Sequence, residues 1–590
     1  MCGIAGIMMR DGVKAEQSVL DRLADALAHR GPDGKGFFCE GSVGLLSTRL
    51  AIIDVPGGKQ PFQEPGGAVL VANGEIYNDL DLRRRLADVP FKTKSDCESP
   101  LHLYRRKGIP SVDSLRGMYA IAIYDPTVET LFITRDPFGI KQLYYVMTPT
   151  FFAFASEPQA LKAAGLTHSK IVAQKRSELL QLKFTTGQDT IYSDIQRLLP
   201  GETLAIKNGQ IIGHRSRRAL AQDKLRFETS FEDALVRLDA VLLESVAVHV
   251  RSDVPYGLFL SGGIDSAAIA TVMARLSNNP IIAFTATFPD YPAANEATAA
   301  ARVAHAVRAE HHVVGVTQKD FWNFSPRVAA ALDDPTTDAS ALPTYLLAAA
   351  AKKNLKVVLS GEGADEMLGG YSRYRKTRSF WRLLGRRKAR SHGLFDSFTD
   401  SDIFPGWRDG LSLTEAQEVS VNWSHMQTML AVDCAEWLPN DLLVKFDRCL
   451  MAHGIEGRTP FLDPHVSDFA FNLPDELKVK DGVGKWILRA WLDKNCHAAN
   501  AWAKKLGFNP PIGHWISHSK DIILPLVLEQ PGIKAMAIEE VVRKVYVEPA
   551  RNSQAAWSLL FYALWHSHHI LGVDAEGSIG DVLTAAARRA

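Results

Sequence analysis

The residue at position 2 is a cysteine, and this position gives it a chemistry that an internal cysteine lacks. Gly3 follows it, so removal of Met1 would leave Cys2 at the chain terminus with its α-amine beside the sulfur. An α-amine titrates near about pH 8 and can accept the thiol proton without help from a histidine. The position alone also fits a small buried core residue, and the motifs that follow Cys2 favour a nucleophilic thiol.

A second candidate site follows a short apolar run that ends at Leu260. Ser261, Gly262 and Gly263 form a turn, and a helical pattern begins at Ile264. Glycines let the backbone close on an anion, and a helix N-terminus supplies free N–H groups. The sequence lacks the Lys of a Walker A motif here and is not a GxSxG elbow. The loop predicts phosphate binding, with a plain strand-to-helix turn as the alternative.

A third group of residues is acidic and follows another apolar run, residues 357–359. Glu362, Asp365 and Glu366 stand within five residues, and such carboxylates repel one another unless a cation or a reacting amine is present. Asp265 and Asp365 are the predicted Mg²⁺ ligands, because hard oxygen donors can bridge the metal to phosphate. A solvated acidic loop is the alternative.

The elements that position the thiol belong to the first part of the chain. Residues 2–205 contain short β-like runs separated by Gly, Pro and Asp turns, with helix-like stretches at residues 19–28 and 79–86. Strand clusters with helices set apart predict an α+β sandwich. The polar, basic residues that follow predict a linker over residues 206–229.

The elements that position the two loops belong to the second part. From residue 230 to residue 575, strand-like and helix-like runs alternate and then give way to helical spacing. This pattern predicts a parallel sheet covered by helices, with a helical C-terminal part. Ligands bind at the strand ends of such sheets, which are the loops after Leu260 and Leu359. Residues 576–590 are predicted to be a C-terminal tail.

Composition excludes several classes of function. The 590 residues include 67 Lys and Arg and 66 Asp and Glu, a net charge of +1, so no overall field would hold nucleic acid or a membrane surface. No apolar run is long enough to span a bilayer, and the six scattered cysteines indicate neither a disulfide scaffold nor a zinc site. We expect a cytoplasmic protein that binds small molecules, and a homodimer stays open. The basic stretch 373–390 is interpreted as a solvated surface or partner contact.

Five motifs follow Cys2 in a fixed order, at residues 29–33, 49–54, 73–78, 95–98 and 135–141. With them, the first part of the chain resembles the class II, N-terminal nucleophile, glutamine amidotransferases. The resemblance implies a layered αββα sandwich in which Cys2 attacks the side-chain amide of glutamine.

The same resemblance implies roles for five other residues. Asn73 and the backbone N–H of Gly74 would form the oxyanion hole, in which each donor can supply about 2.7 to 4 kcal/mol. Arg49 would bind the glutamine carboxylate, and Glu75 and Asp96 would bind its amino group. One arginine opposite two carboxylates suits a zwitterionic ligand.

The loop at residues 258–266 resembles the pyrophosphate loop of the ATP pyrophosphatases, which cleave ATP between the α and β phosphates. With further motifs at residues 334–340, 447–463 and 484–489, nearly the whole chain resembles the glutamine-hydrolysing asparagine synthetase family. That family resemblance implies a carbon–nitrogen ligase that uses ATP and Mg²⁺ to activate aspartate as an acyl-adenylate. Ammonia carried from the glutaminase site would then attack the adenylate.

In this resemblance Glu362 is the general base for ammonia and Lys485 neutralises the leaving pyrophosphate. The implied nucleotide-binding residues are Leu260, Ser261, Gly262, Gly263, Asp265, Ser266, Ser360 and Gly361. Two alternatives stay open. One is an amidotransferase of the same architecture acting on another carboxylate, such as a cell-envelope sugar or peptide, and the other is an inactive assembly or regulatory homologue.

Overall fold

Two antiparallel six-stranded sheets form the first part of the protein in a computed structural model. The structure describes residues 2–64, 67–168, 170–220, 229–277, 279–291, 296–375, 390–399, 403–420, 422–504 and 510–589. In spatial order, the strands of the first sheet are Gln196–Arg197, Tyr144–Met147, Phe151–Ala155, Cys2–Met9, Val43–Arg49 and Gly34–Glu40. Those of the second are Gln210–Ser216, Glu202–Lys207, Thr130–Arg135, Gly117–Asp125, Val69–Ile76 and Phe62–Gln63.

The two sheets pack face to face, and helices cover both outer faces. Alternate residues of a strand point to opposite faces, so Ile4 and Val71 enter the core between the sheets. On one outer face, Ile7 belongs to the apolar cluster that includes helix Gln17–Ala26. On the other outer face, Leu70 belongs to the cluster that includes helices Asp79–Arg85 and Ser99–Lys107. The helices Pro158–Ala163 and Ala173–Leu182 complete this part. The predicted αββα sandwich is confirmed.

The strand Gln210–Ser216 lies within the residues predicted as a linker. It pairs antiparallel with Glu202–Lys207 and forms the edge of the second sheet. Its residues alternate between exposed and half-buried, as expected of an edge strand with one face in solvent. Because such a strand is polar, its composition looked like that of a linker. The described part of the connection is therefore shorter than residues 206–229.

The second part is built on a parallel five-stranded sheet, as predicted. Its spatial order is Glu310–Gly315, Ile282–Thr287, Tyr256–Phe259, Val357–Leu359 and Glu456–Arg458. The chain proceeds outward in one direction from Tyr256–Phe259 and then returns to the other side with Val357–Leu359. The carboxyl ends of these two strands therefore flank the point where strand order reverses, where open α/β sheets bind ligands.

Helices cover this sheet and form the predicted helical C-terminal part. They are Phe231–His249, Ile264–Leu276, Ala297–Ala306, Gln318–Ala331, Ala341–Ala351, Ala364–Leu368, Ser372–Arg375, Asp409–Gln417, His425–Val432, Leu443–Met451, Pro464–Asn472, Asp475–Lys478, Trp486–Asn495, Ile512–His518, Lys520–Leu528, Pro531–Lys534, Glu539–Val547, Ser553–His569 and Ile579–Ala587. A π-helical segment spans Asp433–Leu442, and short 3₁₀ turns occupy Pro460–Leu462 and His497–Ala499. The first part of the protein contains two further 3₁₀ turns, Asp96–Glu98 and Ile109–Ser114. A small hairpin joins Val479–Lys480 to Val483–Gly484. Within the described ranges, no helix has the length and apolar character that a bilayer crossing requires.

The predicted C-terminal tail is largely a helix, Ile579–Ala587. Ser578 and Asp581 form a capping box at its start, which satisfies backbone donors that the first turn leaves free. Ile579 and Leu583 are buried in the core of the second part. The short helical period of these apolar residues, preceded by Ser578, is the signal that the tail prediction overlooked.

Buried ion pairs join the two parts of the protein. Arg30 contacts Glu157 at 2.6 Å within its own part and Asp447 at 2.8 Å across the boundary. Arg448 contacts Asp333 at 2.8 Å and the Ser156 carbonyl at 3.1 Å. Buried charges are stabilising only when paired in good geometry, so these contacts fix how the parts fit together.

Most of the basic stretch 373–390 lies outside the described ranges, which do not include residues 376–389. At its two ends, the side chains are occupied. Arg373 pairs with Asp433 at 2.8 Å, and the Arg390 guanidinium stacks 3.6 Å from the Trp437 ring centre. These contacts are packing within the second part.

Candidate functional site

Cys2 and Asn73 face each other between the two sheets. Cys2 shares its strand parity with Ile4, and Asn73 shares its parity with Val71, so period-two alternation turns both toward the interior. The Cys2 backbone nitrogen donates to Asn73 Oδ1 at 3.1 Å. Asn73 is fully buried, and its Nδ2 has no hydrogen-bond partner among the described residues. A buried amide donor without a partner beside a thiol can stabilise a developing oxyanion.

Gly74 continues the same strand and pairs with Tyr119. A Cβ atom at this position would lie 2.2 Å from the Met118 carbonyl oxygen, so only glycine fits the close approach of the two strands. The backbone at the predicted oxyanion hole is therefore held against the centre of the second sheet.

Gln60 also lies at the thiol, although none of the sequence motifs contains it. Its Nε2 is 4.0 Å from Cys2 Sγ. The same amide donates to the Ala72 carbonyl at 3.0 Å and accepts from the Ala72 N–H at 2.7 Å. These two bonds fix the amide orientation, so Gln60 presents a donor to the sulfur from a rigid position.

Arg49 ends the strand that pairs with Cys2, opposite it in register. Its guanidinium donates to the carbonyls of Val55 at 2.8 Å, Asp54 at 2.7 Å and Ile53 at 3.2 Å. These acceptors are neutral, so the charge of Arg49 is not cancelled by a carboxylate in these contacts. A ligand carboxylate near Cys2 would meet a cation held in place by its own loop.

Glu75 and Asp96 are buried carboxylates next to this site. Burial and the neighbouring Asp96 hold the pKa of Glu75 well above its ordinary value, and burial raises that of Asp96. Asp96 accepts from the Ile76 N–H at 2.6 Å. Glu75 Oε2 pairs at 3.0 Å with Arg458 of the second part, whereas Glu75 Oε1 is buried with no described partner. Two such carboxylates favour an added cation, such as a ligand ammonium group.

The structure adds one partner to the predicted glutamine-site set, namely Arg458. Its guanidinium is fully buried and also contacts Glu456 at 2.6 Å. Its carbonyl accepts from the Ser360 N–H at 2.9 Å, which places it beside the predicted nucleotide loops. The sequence contains Arg458 in a motif, but a partner 383 residues distant in sequence cannot be inferred from that motif.

The loop after Tyr256–Phe259 is closed by its own serines. The Ser261 N–H donates to Ser266 Oγ at 3.1 Å, and the Gly263 N–H donates to Ser261 Oγ at 3.1 Å. The Gly262 N–H donates to the Glu296 carboxylate at 3.2 Å. The acceptor on this backbone donor is an acidic side chain, as is favourable at a helix N-terminus. Leu260 is buried beneath the loop.

The two predicted loops touch each other. A Cβ atom on Gly361 would lie 2.8 Å from Asp265 Cβ and 3.2 Å from the Ser266 nitrogen. The close approach requires glycine and brings Ser360 and Glu362 to the first turn of helix Ile264–Leu276. The sequence-predicted residues of the second part are thus brought together.

Lys485 lies between Asp265 and Asp365. Its Nζ is 2.6 Å from Asp265 Oδ2 and 2.8 Å from Asp365 Oδ1. Burial alone would lower the pKa of Lys485, but the two carboxylates raise it above its ordinary value. The predicted metal ligands and the predicted pyrophosphate-binding lysine therefore form a single charged cluster in this structure.

The acidic group at residues 362–366 separates into three environments. Asp365 contacts Lys485 as above, and Glu366 is buried and accepts from the Tyr371 hydroxyl at 2.6 Å. Burial, with the charge of Asp365, raises the pKa of Glu366 to about 8. Glu362 lies 3.7 Å from Lys445. The repulsion expected from the sequence is relieved by cations and by a hydroxyl donor.

Two carboxylates fit a Mg²⁺ site that a nucleotide completes. Asp265 Oδ1 is buried and lacks a hydrogen-bond partner in the part of the chain that the structure describes. No described group of three or more His, Cys, Asp or Glu residues could hold a metal alone. Mg²⁺ is usually bound by one or two carboxylates and by substrate phosphates, so the arrangement suits the ion with ATP.

Comparisons with known proteins match both parts of the chain. Residues 237–567 match the family model for asparagine synthase, and residues 1–216 match that for a glutamine amidotransferase domain. The chain is 31% identical to asparagine synthetase [glutamine-hydrolyzing] 1 of Bacillus subtilis, with 97% of each chain covered. It is 32% identical to a putative asparagine synthetase [glutamine-hydrolyzing] of Mycobacterium tuberculosis, over 96% of this chain and 97% of the relative. The chain therefore belongs to the glutamine-hydrolysing asparagine synthetase family.

Proposed function

We propose that this protein makes asparagine from aspartate, with glutamine as the nitrogen donor and ATP as the energy source. One observation carries the proposal: a buried thiol site and a pair of nucleotide-type loops occur in one chain whose similarity to glutamine-hydrolysing asparagine synthetases covers 97% of its length. The products are asparagine, glutamate, AMP and pyrophosphate.

In the first half-reaction, the Cys2 sulfur attacks the side-chain amide of glutamine, the C–N bond breaks, and ammonia leaves with the thiol proton passed on by the α-amine. Water then hydrolyses the γ-glutamyl thioester, which releases glutamate and restores the thiol. Asn73 Nδ2 and the Gly74 N–H donate to the oxyanion. Asn73 Nδ2 is buried without a hydrogen-bond acceptor among the described residues, which supports this role. Arg49 binds the glutamine carboxylate. Glu75 and Asp96 bind the ammonium group, supported by the raised pKa values of these buried carboxylates.

In the second half-reaction, the aspartate side-chain carboxylate attacks the α-phosphate of ATP and pyrophosphate leaves. The loop residues Leu260, Ser261, Gly262, Gly263, Ser266, Ser360 and Gly361 hold the nucleotide, and Lys485 neutralises the pyrophosphate. Asp265 and Asp365 would hold Mg²⁺, which supplies charge stabilisation to the phosphates when bound.

Ammonia then attacks the acyl carbon of the β-aspartyl adenylate. The C–N bond forms, the bond from the carbonyl carbon to the AMP oxygen breaks, and AMP leaves with the electron pair. Glu362 accepts the proton that nitrogen loses. Its place on the loop that contacts Asp265 and Ser266 supports this role.

The test is to incubate the full chain with ATP, Mg²⁺, aspartate and glutamine labelled with ¹⁵N in the amide. We expect labelled asparagine in equal amounts with AMP and pyrophosphate. Formation of AMP and pyrophosphate without asparagine would reject transfer of the glutamine nitrogen to the adenylate. Release of glutamate without AMP would reject aspartate as the carboxylate that the protein activates.

We also propose that the protein works in the cytoplasm and as a homodimer. All six cysteines are free, which suits a reducing compartment. Cell fractionation tests the location. Light scattering after size-exclusion chromatography tests the assembly, since one chain has a mass of 64.9 kDa and a homodimer doubles it.

A further inference from the structure

Lys445 is a buried cation at the edge of the nucleotide site, two residues before the motif at residues 447–463. It lies on the helix Leu443–Met451, and 5% of its side chain is exposed. Its Nζ donates to Ser340 Oγ at 2.9 Å and lies 3.4 Å from Asp338 Oδ2. Its third contact is Glu362 Oε1 at 3.7 Å. We propose that Lys445 is a positioning residue that holds Glu362 as an ionised base aimed at the attacking ammonia.

The surroundings of Glu362 explain why such a cation is needed. Burial raises the pKa of Glu362, and the charges of Asp338, Asp365 and Asp265 raise it further, whereas Lys445 opposes them. A protonated carboxyl group cannot accept a proton from ammonia. Without Lys445, the neighbouring carboxylates would raise the pKa of Glu362 further and favour the protonated form.

The other two contacts of Lys445 keep its own charge and position fixed. Asp338 and Glu362 both raise the pKa of Lys445, overcoming the effect of burial. The ammonium group of Lys445 donates to Ser340 Oγ and Asp338 Oδ2, and Glu362 Oε1 lies 3.7 Å from it. Two partners besides Glu362 therefore hold Lys445 in place.

The inference rests on the proposed function and divides its two chemical steps. Adenylation needs no base, because the nucleophile is already a carboxylate. Amide formation does need one, because nitrogen must lose a proton when the C–N bond forms and AMP leaves. Loss of Lys445 should therefore slow the second step more than the first, and adenylate that is not captured by ammonia is lost to water.

The experiment measures pyrophosphate and asparagine in the same reaction, with ammonium chloride as the nitrogen source so that Cys2 is not needed. For Lys445→Met and Lys445→Gln we expect pyrophosphate to exceed asparagine, with asparagine formation at least about 10-fold slower. A positioned general base contributes about 10² to 10⁴ in rate, and a misplaced base should lose at least about 10-fold of this contribution. Lys445→Arg keeps the cation and should return the ratio toward one.

Lys175→Met is the matched control. Lys175 is also a buried lysine paired with a carboxylate, since it lies 3.0 Å from Glu178 in the first part. Its loss should lower thermal stability without changing the ratio of pyrophosphate to asparagine. The same ratio near one in Lys445→Met or Lys445→Gln, with both products reduced together, would overturn the inference and leave Lys445 a structural role. A wild-type protein that makes no asparagine would instead overturn the proposed function.

Discussion

The glutamine site and the nucleotide site differ in what their cations contact. Arg49 donates to three neutral backbone carbonyls, at distances from 2.7 to 3.2 Å. Lys485 lies 2.6 and 2.8 Å from two carboxylates, Asp265 and Asp365. A ligand carboxylate can therefore approach Arg49 without displacing a charged partner, whereas a phosphate at Lys485 competes with two anions.

The difference indicates that the first site is organised before its ligand arrives and that the second must exchange partners. Asn73 Nδ2 and Glu75 Oε1 are buried without partners among the described residues, and in the proposed mechanism they would receive an oxyanion and an ammonium group. In the nucleotide site, Lys485 can turn to pyrophosphate only when Asp265 and Asp365 have another cation. ATP and a divalent ion should therefore bind together, while glutamine should bind alone.

The largest expected effect tests whether the two sites are separate. Cys2→Ala should lower glutamine-dependent synthesis by about 10³-fold or more, since removal of a nucleophile costs at least this much. Synthesis from ammonium chloride should be unchanged, because the nucleotide site has no contact with the sulfur in the proposed mechanism. Initial rates with each nitrogen source measure both effects, and Cys39→Ala, at an exposed cysteine, is the control. Equal loss of both activities would contradict the two-site description.

The second prediction concerns the competition at Lys485. With Mg²⁺ present, Asp265→Asn should bind ATP roughly 100-fold more weakly, since even an outer partner of a metal site is worth about 10- to 100-fold in affinity. Without Mg²⁺, the same variant should bind ATP more tightly than the wild type, because Lys485 loses a competing carboxylate. Isothermal titration calorimetry measures both.

Asp239→Asn is the control for this crossover, because Asp239 pairs with Arg275 at the surface of the second part. Its ATP affinity should match the wild type under both conditions. Weaker binding by Asp265→Asn in the absence of Mg²⁺ would show that Lys485 does not exchange partners.

The sequence predicted the local features of both sites because these depend on short segments. The Ser-Gly-Gly turn, the acidic group and the short β-like runs are all visible within about ten residues. The edge strand Gln210–Ser216 and the helix Ile579–Ala587 were missed for a local reason. The half-exposed strand contains too few apolar residues to stand out from a linker, whereas the helix has an apolar period but is short and lies where chain ends usually fray.

The long-range partners of the residues in each site could not be predicted from the sequence, for a different reason. Glu75 pairs with Arg458, which is 383 residues away in sequence, and Arg30 pairs with Asp447, which is 417 residues away. Lys445 lies in the helix Leu443–Met451, and its residue type alone predicts an exposed position because lysine is rarely buried. Such contacts depend on how the two parts fit together, which no local pattern records.

A smaller effect is expected at Arg49. Arg49→Lys keeps the positive charge but loses the planar fork that contacts three carbonyls, so the cation should be less fixed. Since a hydrogen bond to a charged group is worth about 1.5 to 3 kcal/mol, we expect the KM for glutamine to rise by about 10-fold with little change in kcat. Glutaminase kinetics measure this, with the exposed Arg84→Lys as control. A large fall in kcat with unchanged KM would place Arg49 in the chemistry and not in glutamine binding.

The smallest effect is expected at Gln60 and tests how complete the thiol site is. Gln60 offers Cys2 Sγ one neutral donor at 4.0 Å, while its stronger bonds go to the Ala72 backbone. Gln60→Met removes this donor at similar length, and a neutral hydrogen bond is worth about 0.5 to 1.5 kcal/mol, so kcat/KM for glutamine hydrolysis should fall by about 2- to 10-fold. Gln63→Met, at the exposed end of the two-residue strand Phe62–Gln63 that follows Gln60, should leave it unchanged. Thermal unfolding separates this loss from the instability caused by the freed Ala72 groups. A fall as large as that of Cys2→Ala would mean that the thiol depends on Gln60 for its reactivity, so that Asn73 and the backbone do not suffice.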